Sequence, residues 1–371
     1  MSQPDPLSSN RRTIAWLLGG VFAIALTVQV TSLVMTHWGM DSAGPTVTAS
    51  GSPRVERVLI ISIDGLRPDV LLRARAPRIR GLMERGAFSM WARTTEMSIT
   101  LPSHTSMLTG VRPDIHRVVW NRYIENVYPD VPTIFEQAHK VWLSQDQRLT
   151  TGMVAGKGKF HEIAKPGTID YIDVYQDKEG SNVEVGEVAA NMIRRHAPRV
   201  MFVHIPDVDV VGHAVGWGTY QQLRAVETAD AAVGMMLDAL SDKGLLGAAL
   251  IILSADHGGQ GKTHGPNDPR SRHIPWIVVG PGVRRNYDLT RLDKLVINTE
   301  DTFATACAMM HLPVPDHIDG RFVEEILEPG PQTELMYTVS EDDRKKPEPY
   351  DHWWQPPSYN WERTPIPPHH N

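Results

Sequence analysis

The sequence predicts an α/β fold: a three-layer sandwich with a mostly parallel central sheet and helices on both faces, preceded by one N-terminal transmembrane helix. Short apolar runs rich in Val, Ile and Leu alternate with stretches of helical periodicity, the pattern of parallel strands covered on both sides. Several runs end in Asp or His, at the carboxyl ends of strands where open α/β sheets place their sites. A long uncharged apolar stretch stands ahead of them.

That stretch, 13–35, is long enough to cross a bilayer core of about 30 Å. Arg11 and Arg12 precede it, so the positive-inside rule puts residues 1–12 in the cytoplasm and the rest outside, periplasmic or extracellular. It exceeds the apolar region of a cleaved leader, and a Gly/Ser/Thr/Pro-rich linker, 36–54, follows it. One folded domain is expected over 55–345, then a tail, 346–371, rich in Pro, Trp, Tyr and His.

Within the domain, strands are expected at 58–63, 151–155, 200–205, 250–254 and 276–279. A helix over 219–243 carries Leu223, Val226, Val233, Met236, Leu237 and Leu240 on one stripe and stops at Gly244. A shorter helix, 77–85, begins with Pro77 and ends before Gly86. Cys307 lies in the helical-looking stretch 301–310, where a small buried residue is expected.

The formal charge of −6 argues against a nucleic-acid binder held by a basic field, so no nucleic-acid footprint is expected. A single cysteine excludes an intramolecular disulfide and every cysteine-based zinc cluster. Any metal must therefore be held by His, Asp or Glu.

Such residues cluster at three strand ends. VLIISIDG ends at Asp64, HIPDVDVVGH carries Asp207, Asp209 and His213, and LIILSADHGG delivers Asp256 and His257. One aspartate after a strand is usually a turn or helix cap; three strand ends of this kind are a constellation. Carboxylates with neutral imidazoles suit zinc, manganese or iron, and two metals about 3.5–4 Å apart can clamp both oxygens of a phosphoryl displacement. Asp209 and His213 meet only if their stretch turns helically. In TLPSHTSMLTG, Thr100 could simply cap a helix, but beside metals its hydroxyl becomes an activatable nucleophile at an anion-binding helix N-terminus.

Together, IDGLRPD from Ile63, TLPSHTSMLTG from Thr100, DVVGH from Asp209, ADHGG from Ala255, THG from Thr263 and IPWIVVGPG from Ile274 resemble the alkaline phosphatase superfamily. Within it they are most similar to the type I phosphodiesterase and nucleotide pyrophosphatase branch. The resemblance implies one metal held by Asp64, Asp256, His257 and the nucleophile Thr100, and a second held by Asp209, His213 and His264. It also implies that Asn121, after the G-x-x-P-x-x-H segment, binds a phosphate oxygen with the Thr100 backbone N–H. Asp209 is preferred over Asp207 for its spacing to His213, which leaves Asp207 a turn residue. His264 is preferred over His273 because it lies in THG, and His104 and His116 are left as structural. GKFH, Gly158 to His161, is faintly similar to a sulfatase segment, which makes Lys157 and Lys159 candidate substrate contacts. Thr100-x-Pro102-Ser103-His104 departs from the sulfatase C/S-x-P-x-R pattern and excludes formylglycine there.

The implied activity is metal-dependent hydrolysis of phosphodiesters or nucleotide pyrophosphates through a phosphothreonine, with two divalent ions, zinc foremost. A neutral Asn121 fits diesters, although Arg112, Arg117 and Arg122 are near in sequence. Alternatives are a phosphomonoesterase, a membrane-bound transferase of phospholipid head groups, and a catalytically inactive interaction protein. Partners are thus a small-molecule or lipid phosphate ester and the membrane.

Overall fold

The computed structural model describes residues 54–328, apart from 146–148, 176–178 and 266. The expected membrane helix 13–35, the linker but for Arg54, and the tail 346–371 lie outside the described residues. Among the described residues no helix is long and apolar enough to cross a membrane.

One sheet organises the described residues. Its strands are β1 (Arg57–Ile63), β2 (Ala87–Arg93), β3 (Thr151–Ala155), β4 (Tyr171–Val174), β5 (Val200–Ile205), β6 (Ala249–Ser254), β7 (His273–Val279) and β8 (Tyr287–Asp288). They lie in the order β4-β3-β5-β1-β6-β7-β2-β8. β1, β3, β5 and β6 are buried at every position, so apolar side chains are needed on both faces and no polar alternation develops. At the centre, Ile60 lies opposite Phe202 on one side and Ile252 on the other.

The sheet is mostly parallel, as expected, with one reversal: β7 runs antiparallel to both β6 and β2. After β6 the chain returns through residues 255–268 and the short helix Pro269–Arg272, which lays β7 back along the strand it has just left. β7 also starts three residues before its expected position, so His273 is its first residue and not a loop residue.

The helix expected over 219–243 spans Tyr220–Asp242, and Thr219 caps it by accepting the Gln222 backbone N–H on its hydroxyl. The helix Pro77–Arg85 is fastened to it by Asp230, whose carboxylate accepts the Ile79 and Arg78 backbone N–H groups at 2.8 and 3.2 Å. A buried carboxylate here satisfies donors that the helix start leaves without an intrahelical partner. The helix Thr100–Thr109 is buried along its whole length. Its polar residues survive there because the Thr105 and Thr109 hydroxyls donate to carbonyls four residues back, at 2.8 and 2.7 Å. Gly110 then closes it in the left-handed region, at φ 76°, where a Cβ would lie 2.6 Å from the Phe303 ring.

Two histidines passed over as ligands, His116 and His273, are built into this frame. Val118 N–H donates to His116 Nδ1 at 3.1 Å, which leaves Nε2 to donate to Ser106 Oγ at 3.0 Å. His273 stacks on Trp91 with ring centroids 3.6 Å apart. Burial is the main cause holding both neutral: His116 falls to about 4, and His273, beside Arg93 and Arg272, to about 3. An unfolded histidine titrates near about 6.5. Between those values the native state binds fewer protons than the unfolded one, so their contribution is complete above pH 6.5 and is lost as pH falls. The stability of the wild type relative to His273→Gln should therefore decrease by up to about 1.4 kcal/mol per pH unit between pH 6.5 and 4.5. Urea denaturation at several pH values checks this; parallel curves would contradict it.

Candidate functional site

Four neighbouring parallel strands, β3, β5, β1 and β6, end side by side. Just past those ends stand Lys157, then the helix Asp207–Val215 with Asp209 and His213, then Asp64, then Asp256 and His257. β2 runs parallel to β6 across β7, so the chain after it reaches the same edge and enters the helix Thr100–Thr109 there. His264 comes from the loop between β6 and β7. The fold thus gathers every residue singled out in the sequence as a metal ligand.

Apart from Thr100 they fall into two groups, Asp64 with Asp256 and His257, and Asp209 with His213 and His264, each with its ligand atoms within 4.8 Å of one another. In the first, His257 Nε2 lies 3.3 Å from Asp64 Oδ1 and 3.2 Å from Asp256 Oδ2. In the second, Asp209 Oδ1 lies 3.4 Å from His213 Nε2 and 3.6 Å from His264 Nε2. The His257 and His264 rings stack at 3.7 Å and join the groups. Helical geometry between 207 and 215 turns the four-residue spacing of Asp209 and His213 into a contact.

Hydrogen bonding around the groups is one-sided. Each of the three histidines donates Nδ1–H to a backbone carbonyl: His257 to Gly258 at 2.8 Å, His264 to Ser98 at 2.9 Å and His213 to Lys262 at 3.0 Å. Those bonds select the tautomer with a lone pair on Nε2, the arrangement of a metal-ligating histidine. The carboxylates match it. Asp256 Oδ1 accepts the Gly65 and His257 N–H groups, Asp64 Oδ2 accepts His204 Nε2 and Lys157, and Asp209 Oδ2 accepts Lys157. The other oxygen of each, Asp64 Oδ1, Asp256 Oδ2 and Asp209 Oδ1, is buried without a hydrogen-bond partner among the described residues. Three orphaned carboxylate oxygens facing three imidazole lone pairs fit divalent ions with mixed oxygen and nitrogen preference.

The charges lead to the same chemistry. Burial and the Asp64 and Asp209 carboxylates push Asp256 well above the usual carboxylate range. Burial would also raise Asp64, but Lys157 and His204 outweigh it and hold it well below. Burial and Asp64 oppose ionisation of Asp209, while His213 and Lys157 bring it to about 2. Burial keeps His257 neutral, at about 4, and lowers His264 as well. His213 differs: its contact with Asp209 raises it, so a proton and a cation compete for the same Nε2. Three buried carboxylates with one ammonium call for further positive charge.

Thr100 is the first residue of its helix and is buried, with Oγ1 3.4 Å from His257 Nε2. His104 fixes this helix start: Nδ1–H donates to Thr100 O at 2.7 Å, and Nε2 accepts from Ser62 Oγ on β1 at 2.7 Å. Asn121 accepts the Leu101 backbone N–H and Lys159 Nζ on Oδ1, both at 3.1 Å, and so stands at the same helix N-terminus. Lys159 thus sits beside Asn121, whereas Lys157 lies among the carboxylates. Asp207, expected as a turn residue, begins the helix 207–215 and accepts Asn182 N–H at 2.9 Å. Arg112 turns away to Asp114 and Asp319.

Several contributors carry no local signal. Gly65, at φ 71°, has Asp209 so close that a Cβ would lie 2.9 Å from its Cα. Trp217 donates Nε1–H to Gly65 O at 2.9 Å and lies against Gly212 and Gly259, where added methyl groups would meet its ring at 2.8 and 2.3 Å. Only the flanking glycines, 216 and 218, hint at an unusual turn there. Glu162 is fully buried; Oε1 accepts Trp120 Nε1 at 2.8 Å and Oε2 accepts Ile124 N–H at 2.9 Å, bracing the loop that carries Asn121.

Comparison with known proteins adds lineage to this geometry. Residues 58–265 match the family described as type I phosphodiesterase / nucleotide pyrophosphatase. An uncharacterized pyrophosphatase/phosphodiesterase of Schizosaccharomyces pombe is 25% identical over 221 residues, which are 54% of this chain and 44% of that protein. A bis(5'-adenosyl)-triphosphatase of Xenopus laevis is 23% identical over 256 residues, 65% of this chain and 53% of that one. The chain spans about half the length of these relatives. Murine ectonucleotide pyrophosphatase / phosphodiesterase 5, in an inactive form in complex with AMP, superimposes with a TM-score of 0.61 at 14% identity. That match covers 74% of this chain and all of the murine one, and at such identity it shows the fold.

The Glu162 brace makes a measurable claim. Glu162→Gln puts an amide N–H₂ against one of two buried donors and should cost about 1–3 kcal/mol in urea denaturation. It should also raise KM severalfold with metal content unchanged, because Asn121 loses its fixed loop; an unaltered KM would detach Glu162 from the site.

Proposed function

Because this chain belongs to the type I phosphodiesterase / nucleotide pyrophosphatase family, we propose that it is a hydrolase of phosphate esters, acting on phosphodiesters or nucleotide pyrophosphates. One observation carries the reading: the Thr100 hydroxyl stands 3.4 Å from His257 Nε2, at a buried helix N-terminus beside two groups of orphaned ligand atoms.

In this reading Asp64, Asp256, His257 and Thr100 hold one divalent ion, and Asp209, His213 and His264 hold another, zinc best matching the donors and manganese or iron also suiting them. Bound there, such ions lower the pKa of a coordinated hydroxyl and offset negative charge developing on the phosphoryl oxygens. Thr100 Oγ1 gives up its proton and attacks phosphorus in line with the leaving oxygen; the bond from phosphorus to that oxygen breaks, the leaving group departs with a proton from solvent, and a phosphothreonine remains. Asn121 and the Thr100 backbone N–H hold a non-bridging oxygen. Water then hydrolyses the phosphothreonine and returns the hydroxyl. His104 keeps the attacking residue in place through the Thr100 carbonyl.

Neutral Asn121 at the phosphate end supports a diester, whose second ester group carries no additional charge. Exposed Val119 and Tyr123 flank it and offer an apolar and aromatic surface to a leaving group such as a nucleoside. AMP in the murine structure and the activity named for the Xenopus relative support a nucleotide substrate. The uncharged stretch 13–35 supports an anchored, extracytoplasmic enzyme.

Thr100→Ala should lower turnover of a nitrophenyl phosphodiester at least about 10³-fold while elemental analysis finds the same metal content. Turnover at the wild-type rate would remove Thr100 as nucleophile. On matched nitrophenyl esters, kcat/KM should be higher for the diester, and a monoester preference would refute the assignment of Asn121.

A further inference from the structure

We propose that Lys157 is a resident third cation of this site, a positioning residue that ties the two ligand groups together and weakens their hold on divalent metal. The inference rests on the two-metal reading above and concerns what tunes it.

The geometry singles this lysine out. Its Nζ lies 2.9 Å from Asp64 Oδ2 and 2.6 Å from Asp209 Oδ2, and those aspartates belong to different ligand groups. The residue is only 4% exposed, so solvent screens neither contact. An ammonium has three donors and no lone pair, so Lys157 cannot itself be a ligand. It can only occupy one oxygen of each carboxylate. In doing so it leaves Asp64 Oδ1 and Asp209 Oδ1, two of the three carboxylate oxygens without partners, turned towards the imidazole nitrogens. His204 completes the hold on Asp64 Oδ2 at 2.9 Å.

Two consequences pull in opposite directions. As a hydrogen-bond donor Lys157 orients ligands, and loss of such an outer partner usually weakens a metal site about 10–100-fold. As a fixed positive charge 2.9 and 2.6 Å from one carboxylate of each ligand group, it would repel cations held there. Coulomb energy at that range in a poorly screened site exceeds the worth of one hydrogen bond. The charge therefore dominates: the lysine allows three carboxylates to share a buried site and in return holds metal affinity down. Lys159, two residues on, faces Asn121 instead, so one short segment serves the carboxylate side and the phosphate side with separate cations.

The test uses the full chain with Lys157→Met, which keeps the apolar stem, and Lys157→Gln, which keeps a donor without charge. Zinc affinity is measured by competition with a chromophoric chelator, zinc per chain by elemental analysis, and melting temperature in excess chelator. Both variants should bind two zinc ions at least about tenfold more tightly than wild type and melt lower in chelator, since the carboxylates lose their counter-charge. Unchanged or weaker zinc binding would overturn the proposal, and unchanged binding with a raised KM would place the ammonium on the substrate. A wild-type chain that takes up no zinc, manganese or iron would instead overturn the two-metal reading itself.

Discussion

Three carboxylates brought together out of water, Asp64, Asp209 and Asp256, are the constraint that the rest of this structure answers. Each alone would favour its neutral acid when buried, and their mutual repulsion strengthens that tendency. One ammonium, from Lys157, offsets part of the excess. The remaining features follow from the same imbalance. His257 and His264 are held neutral and present lone pairs, backbone N–H groups take one oxygen of Asp256, and the unpartnered oxygens face inwards. A buried arrangement of this kind is costly unless cations complete it, which is why the proposed function follows from its electrostatics as well as from lineage.

Much of this was legible in the sequence because the chemistry sits where apolar strands stop. The runs ending at Asp64 and Asp256 are buried on both faces, so their polar successors stand out by contrast. The spacing of Asp209 and His213 carried information only on condition that their stretch is helical, which it is. β2 was missed for a physical reason. A register shift between Ser89 and Ala92 breaks its alternation, and its Ser89 and Arg93 are buried although they look like interruptions. β4 was missed as an edge strand with Ile172 and Asp173 exposed.

Other parts depend on contacts across long stretches of chain. Lys157 stood out as a residue, but its target follows from β3 lying next to β5 and β5 next to β1, an order that local patterns do not encode. Glu162 meets Trp120 across 42 residues, and Trp217 meets Gly65 across 152. Such long-range partners can be found only once strand order is known. The single reversed strand matters similarly: by turning β7 back, it lets β2 run parallel to β6 and bring the helix of Thr100 to the edge where the aspartates stand.

The anchoring of the three histidines to backbone carbonyls has an evolutionary consequence. Gly258, Ser98 and Lys262 contribute main-chain oxygen, so no side-chain group is needed to aim a ring, although position 258 admits only glycine because a Cβ there would lie 2.2 Å from Arg270 O. Ligand placement then depends on the path of the loops, and substitutions that preserve that path are permissive. A lineage built this way can diversify most of its surface, and with it the groups it admits, while the geometry of the reactive centre stays insulated from that drift.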